Sequence, residues 1–242
     1  MASCLSCGAP ASKAVGYCVK CVKEGRLDLT TRIKWRDGLG LPVIPPSSGV
    51  QCLNCSNECK IPDGGKGYCG IWRNEGGRLT PYQGHGRGLL YYYLDPHVTN
   101  CCAAWFCPGG TGLGHPRYAY TDGPEVGYYN LAIFFYGCNF DCLFCQNYEH
   151  KFFEMGRIYR PEELAKAGSS SKISCWCFFG GSPEPQLQFA IKAARLALER
   201  KEGILRICWE WNGCGNRNLC LLYTSDAADE GLGVDLGGRR II

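Results

Sequence analysis

The chain has 242 residues, with 26 Lys and Arg against 22 Asp and Glu, and it is rich in glycine (33) and cysteine (19). That length allows one medium domain with small modules. The net charge of +4 gives only weak support for nucleic acid as a partner and none for a membrane surface; no apolar run approaches the roughly 20 residues of a membrane span. No N-terminal stretch has the basic, apolar and small-residue layout of a signal peptide. The thiols are therefore expected to stay reduced in the cytoplasm, where repeated C-x2-C pairs read as metal ligands rather than disulfides.

Residues 1–25 carry Cys4, Cys7, Cys18 and Cys21. Two C-x2-C knuckles this close predict a zinc-ribbon-like module, although spacing alone does not separate zinc from iron in an S4 site. Residues 26–49, with the Pro- and Ser-containing Leu41–Gly49, read as a linker. A second set, Cys52, Cys55, Cys59 and Cys69, falls in residues 50–82, with Pro62-Asp-Gly-Gly-Lys-Gly67 supplying the turn that returns Cys69 to the others. Zinc and an auxiliary iron–sulfur cluster both suit four thiolates at this spacing. Residues 83–127 are Gly-, Tyr- and Pro-rich, show little periodicity and read as an irregular region. Their Cys101, Cys102 and Cys107 are either further ligands or ordinary buried thiols, and Tyr91-Tyr-Tyr93 reads as packing.

From Tyr129 strands and helices alternate. Tyr129–Tyr136 predicts a buried strand that runs into Cys138, Cys142 and Cys145, spaced C-x3-C-x2-C. A structural tetrahedral site wants four ligands, so three close thiolates predict a centre with an open position. Pro161 opens a short helix; Ile173–Phe179 is a second strand closed by Gly180-Gly181. The next helix runs from about Pro185 to Lys201, with Leu187, Ala190, Ile191, Ala194 and Leu198 as its apolar face. Ile204–Trp209 is a third strand, followed by Glu210 and Asn212. This order predicts an α/β fold with a parallel sheet. The cysteine loop, the glycine pair and the Glu210–Gly213 segment would then meet at the C-terminal ends of the strands. The last stretch differs: Cys220–Glu230 and Gly233–Ile242 resemble translated sequencing-adapter sequence. Residues 220–242 are therefore expected to be non-native and the natural chain to have been cut near Leu219.

Residues 50–219 resemble the radical S-adenosylmethionine (SAM) superfamily. Within it they look similar to the pyruvate formate-lyase activating enzyme-like, AmmeMemoRadiSam-type branch. The resemblance is carried by Cys52–Cys69, by Cys138-x3-Cys142-x2-Cys145-Gln-Asn147, by Phe179-Gly-Gly-Ser-Pro-Glu-Pro-Gln186 and by Trp209-Glu-Trp-Asn-Gly213. It implies that Cys138, Cys142 and Cys145 hold a [4Fe-4S] cluster whose fourth iron chelates SAM, and that Phe144 lies against the adenine. It further implies that Gly180 and Gly181 receive the methionine amino group, and that Glu210 and Asn212 contact SAM or substrate. Trp211 stands where a small Thr is usual, and Glu184 reads as a helix-start residue. The implied fold is a truncated partial barrel over residues 128–219, about three of about six βα units, preceded by the Cys-rich modules. The implied activity is reductive SAM cleavage, with flavodoxin or ferredoxin as electron donor and a glycyl-radical partner protein, a small molecule or RNA as substrate. A non-catalytic zinc-binding interaction module, with His150 as fourth ligand to the Cys138 set, is the contrasting reading.

Overall fold

The computed structural model describes residues 2–11, 16–28, 30–99, 101, 103–142 and 145–216. The N-terminal strands β1 (Ala2–Ser3) and β2 (Pro10–Ala11) pair antiparallel and lead to α1 (Val19–Lys23). Next comes α2 (Thr30–Gly38), then two small hairpins, β3 (Val50–Gln51) with β4 (Lys60–Ile61) and β5 (Trp72–Glu75) with β6 (Arg78–Pro81). Gly76 and Gly77, at φ +61° and +84°, make the two-residue turn between β5 and β6, where both positions need a left-handed backbone.

The main sheet is built from β7 (Gly88–Pro96), β8 (Tyr129–Phe135), β9 (Arg157–Tyr159), β10 (Ile173–Gly180) and β11 (Arg206–Trp209). Its order is β11-β10-β8-β7-β9, with β11, β10 and β8 parallel and β7 and β9 antiparallel to their neighbours. A short α3 (Pro108–Thr111) lies between β7 and β8, α4 (Pro161–Ala167) precedes β10, and α5 (Leu187–Arg200) joins β10 to β11.

Period-2 alternation sorts the parallel strands into two faces. One face, Leu131, Ile133, Phe135, Trp176, Phe178, Ile207 and Trp209, packs on α4 and α5 as the principal core. Phe178 stacks on Trp209 with ring centroids 4.2 Å apart. Burying each of these side chains contributes about 1.5–3 kcal/mol. The start of α4 is fixed by Glu163 Oε2, which accepts the Arg160 N–H at 2.7 Å, the return arm of a capping box. At its other end Trp176 Nε1 donates to Gly168 O at 3.0 Å, and a Cβ at Gly168 would collide with that indole.

Several expectations need correction. Residues 26–49 are not merely a linker: they contain α2, whose Arg36 is 2% exposed and donates to Pro42 O and Tyr68 O. Trp35 of α2 sets its ring edge-on to Phe152 at 5.5 Å. Residues 83–127 are not wholly irregular, because β7 joins the sheet beside β8. The sheet is therefore mixed rather than purely parallel. The buried side of α5 is Leu187, Phe189, Ala190, Ala193, Ala194 and Ala197, whereas Leu198 is exposed. Alanines let this helix lie close to a sheet face crowded with Trp and Phe. The tyrosines do pack: Tyr91 and Tyr93 stack on Phe134, and Tyr92 meets Tyr159.

Candidate metal and cofactor site

The first cysteine set is closed. Cys4, Cys7, Cys18 and Cys21 bring their sulfurs within 4.8 Å of one another. Among the described residues no other group of three or more Cys, His, Asp or Glu ligand atoms is gathered this tightly. A tetrahedral ion with metal–sulfur bonds of about 2.3 Å spaces its sulfurs by about 3.8 Å, so this set fits one S4 ion. The Cys18 backbone N–H, with those of Ser6 and Cys7, holds the Cys4 thiol down to about 6.

The second set is arranged differently. Cys52, Cys55 and Cys59 are buried and Cys69 half-buried. Asn54 Nδ2 donates to Cys52 Sγ at 3.3 Å and the Tyr68 N–H to Cys59 Sγ at 3.4 Å. Burial pushes the Cys55 thiol up to about 11 and that of Cys69 to about 12. This module rests on the Cys138 loop. Cys55 bridges to Gly215, the Ser56 N–H donates to Cys214 O at 3.1 Å, and Asn57 Nδ2 donates to Asn139 O at 2.8 Å.

Because β8, β10 and β11 run parallel, the segments that follow them leave the sheet at one end. Cys138 follows β8 through Gly137, and its sulfur accepts from the Phe140 N–H at 3.4 Å and from Asn212 Nδ2 at 3.9 Å. Burial raises the Cys138 thiol, and nearby Glu184 adds to the effect. Cys142 and Cys145 are half-buried on the same loop, with the Cys145 N–H donating to Cys142 O at 3.3 Å. Two buried cations pin the loop: Lys151 Nζ donates to Phe140 O at 3.0 Å and pairs with Asp141 at 3.1 Å, and Arg36 approaches Asp141 at 3.8 Å. Sequence reasoning missed both cations, since neither carries a motif.

The glycine pair ends β10 for steric reasons that also open the corner. Gly181 has φ +53°, and a Cβ there would sit 1.8 Å from Phe135 O; one at Gly180 would meet Phe134 and Asn147. Asn212 donates through Nδ2 to Asn139 Oδ1 at 2.7 Å and through its backbone to Ser182 Oγ at 3.3 Å. It thus ties the segments after β8, β10 and β11 together. Glu210 lies elsewhere, accepting from Cys101 Sγ at 3.0 Å. Gln186, also unforeseen, uses its amide to join Leu89, Tyr136 and Gln83. Glu184 is in a short 3-10 turn and fully buried. Neither of its oxygens makes a well-directed hydrogen bond, although Ser182 is near enough to favour the anion, and burial raises its pKa. His150 donates its Nδ1–H to Asn147 O, burial holds its pKa down to about 4, and it is not gathered with the Cys138 set. Phe144, Cys102 and the 220–242 segment lie outside the described residues.

Residues 132–221 match the family model of the radical SAM superfamily. No curated protein and no solved structure matches the chain. The matched segment contains the second half of β8, β10, β11 and the Cys138 loop. Its residues fit the group this superfamily uses: three thiols lie on one loop, and donors are directed at Cys138 Sγ. Among the described residues no helix is long and apolar enough to cross a membrane.

Proposed function

We propose that this chain is a radical SAM enzyme whose Cys138, Cys142 and Cys145 thiolates hold a [4Fe-4S] cluster. The observation that carries the reading is the coincidence of the superfamily match with the meeting of three strand ends around Cys138. Held by these three thiolates and reduced by an external electron donor, the cluster would supply the one-electron chemistry for reductive cleavage of SAM.

The chain's own residues orient and enclose. Asn212 and the Phe140 N–H favour a thiolate at Cys138, because hydrogen bonds to the charged form stabilise it. Lys151 and Arg36 hold the loop through Asp141, and Phe134, Phe179, Tyr91 and Tyr93 form an aromatic wall beside it. Glu184 gives a cationic cofactor a buried partner. Gly180 and Gly181 leave the main chain open to the methionine amino group, and Phe144 is assigned to the adenine.

Within the superfamily the reading is an activase-like enzyme of the pyruvate formate-lyase activating, AmmeMemoRadiSam-type branch. It works in the cytoplasm with a flavodoxin or ferredoxin donor, and zinc occupies the Cys4 set. The reading takes the three parallel strands among the described residues as about half of a six-unit barrel, so the isolated chain is expected to hold the cluster but turn over little. The test is anaerobic reconstitution with iron and sulfide, then SAM and a reductant, on this chain and on any longer gene product that contains it. A brown protein whose spectrum responds to SAM, and 5′-deoxyadenosine from the longer product, are expected; both vanish in C138A/C142A/C145A. A colourless protein carrying zinc alone would sink the reading in favour of an interaction module.

A further inference from the structure

The second face of the sheet carries a concentration of sulfur that the Cys138 loop does not explain. On β10 and β11 the residues opposite the core are Cys175, Cys177, Arg206 and Cys208, and Cys177 is the register partner of Cys208 on the neighbouring strand. The segment after β7 closes over them. Cys101 and Cys107 come from that segment, and the thiols of Cys101, Cys175 and Cys208 are near enough to act on that of Cys177. Cys107 lies within electrostatic range of Cys208, Cys175 and Arg206. The register shift between Ile173 and Cys175 turns both Ser174 and Cys175 toward His97 Nε2, at 3.0 and 3.5 Å.

A buried cysteine is ordinarily a small apolar residue, but that reading fits poorly here. The core face of these strands has no cysteine among its buried residues, so the thiols are segregated onto one side. They also sit among polar groups rather than hydrocarbon: Cys101 Sγ against Glu210 at 3.0 Å, Cys175 Sγ against Asn130 at 3.4 Å, and Arg206 paired bidentately with Glu125 at 2.6 and 2.9 Å.

We propose that Cys101, Cys177 and Cys208, flanked by Cys175 and Cys107, form a second thiolate-held iron–sulfur site, built from residues other than those of the Cys138 loop. Soft thiolate sets select zinc, Cu(I) or iron–sulfur clusters. No three of these sulfurs are as tightly gathered as those of the Cys4 set, whose spacing suits a single ion. A wider sulfur cage is what a polynuclear centre requires. Loading releases the thiol protons to solvent, and the Arg206 guanidinium and His97 ring lie beside the resulting negative charge.

The test uses the full chain with Cys138, Cys142 and Cys145 replaced by alanine, reconstituted anaerobically with ferrous iron and sulfide. Readouts are iron and acid-labile sulfide per chain and the EPR spectrum after reduction. Iron held by the Cys52 set is common to every arm. Adding C177S/C208S is expected to remove one cluster's share of iron and sulfide together with its EPR signal. C101S, which lies outside the sheet, is expected to shift or remove the same signal. Unchanged iron, sulfide and signal in folded C177S/C208S and C101S chains overturns the proposal, as does a Cys177–Cys208 disulfide in anaerobically purified chain. If C177S/C208S fails to fold by circular dichroism, the C101S arm decides. The Cys138 triad is absent throughout, so failure here leaves the radical SAM reading standing.

Discussion

The two faces of the main sheet are made by the same strands and share a backbone, yet they are held together by different physics. On the α4–α5 side, Trp176, Phe178, Ile207 and Trp209 interlock with helix alanines, and the stabilising term is apolar burial. On the other side Glu125, Arg206, Ser174 and His97 form a buried polar network against a bed of thiols. The first face tolerates no missing volume; the second tolerates no missing partner.

Substitutions can sharpen or break that contrast. The largest effects are expected at Trp176 and Arg206. Trp176→Ala should cost about 3–5 kcal/mol, as truncation of a large core aromatic does, and no second deletion should recover it. Arg206→Met should cost about 3–5 kcal/mol by stranding the Glu125 carboxylate, with much of the loss recovered in Glu125→Gln/Arg206→Met. Denaturant unfolding of the three chains reads this directly, and an unrecovered double variant would make the polar face an ordinary packed core. Gly181→Ala comes next, at about 1–3 kcal/mol for the left-handed backbone, plus whatever relieves the contact with Phe135 O.

Asn212→Ala should cost about 1 kcal/mol, the net worth of a hydrogen bond. It should also perturb the EPR spectrum of a cluster at Cys138 while leaving the Cys4 site loaded. The smallest effect at neutral pH belongs to His150. Its pKa is lowered from 6.5 to about 4 by burial, so the unfolded chain binds the proton more readily. The stability due to the neutral ring is complete above about 6.5 and is lost as pH falls toward about 4. His150→Gln should flatten that stretch of the stability–pH curve.

β8 and β10 were legible because each is a short apolar run ending at a glycine or at a cysteine loop. β7 was not, since Leu89-Leu-Tyr-Tyr-Tyr-Leu94 is apolar or aromatic throughout and offers no alternation to read. α2 was hidden for the opposite reason: it is mostly polar, and Arg36 and Trp35 anchor it through partners far along the chain. On α5, attention to large aliphatic residues chose Leu198, whereas the close approach to the sheet selects Ala193 and Ala197. In the site, spacing revealed the thiols of the Cys4 set, which the fold brings together. Lys151, Asp141 and Gln186 act through geometry that only the fold creates, and the inner-face thiols sit in strands where cysteine reads as one more apolar residue.

The bridge from Cys55 to Gly215 has a kinetic consequence. Together with Trp72 Nε1 donating to Pro185 O, 113 positions away, it makes the Cys52 module wait for partners synthesised much later. Contacts so distant in sequence form slowly, because a long loop must close before they contribute. On a ribosome this module would emerge early with its Cys138-facing surface bare. Its thiols would therefore be open to metal capture or oxidation for most of the chain's synthesis, and closed off only once β11 has docked.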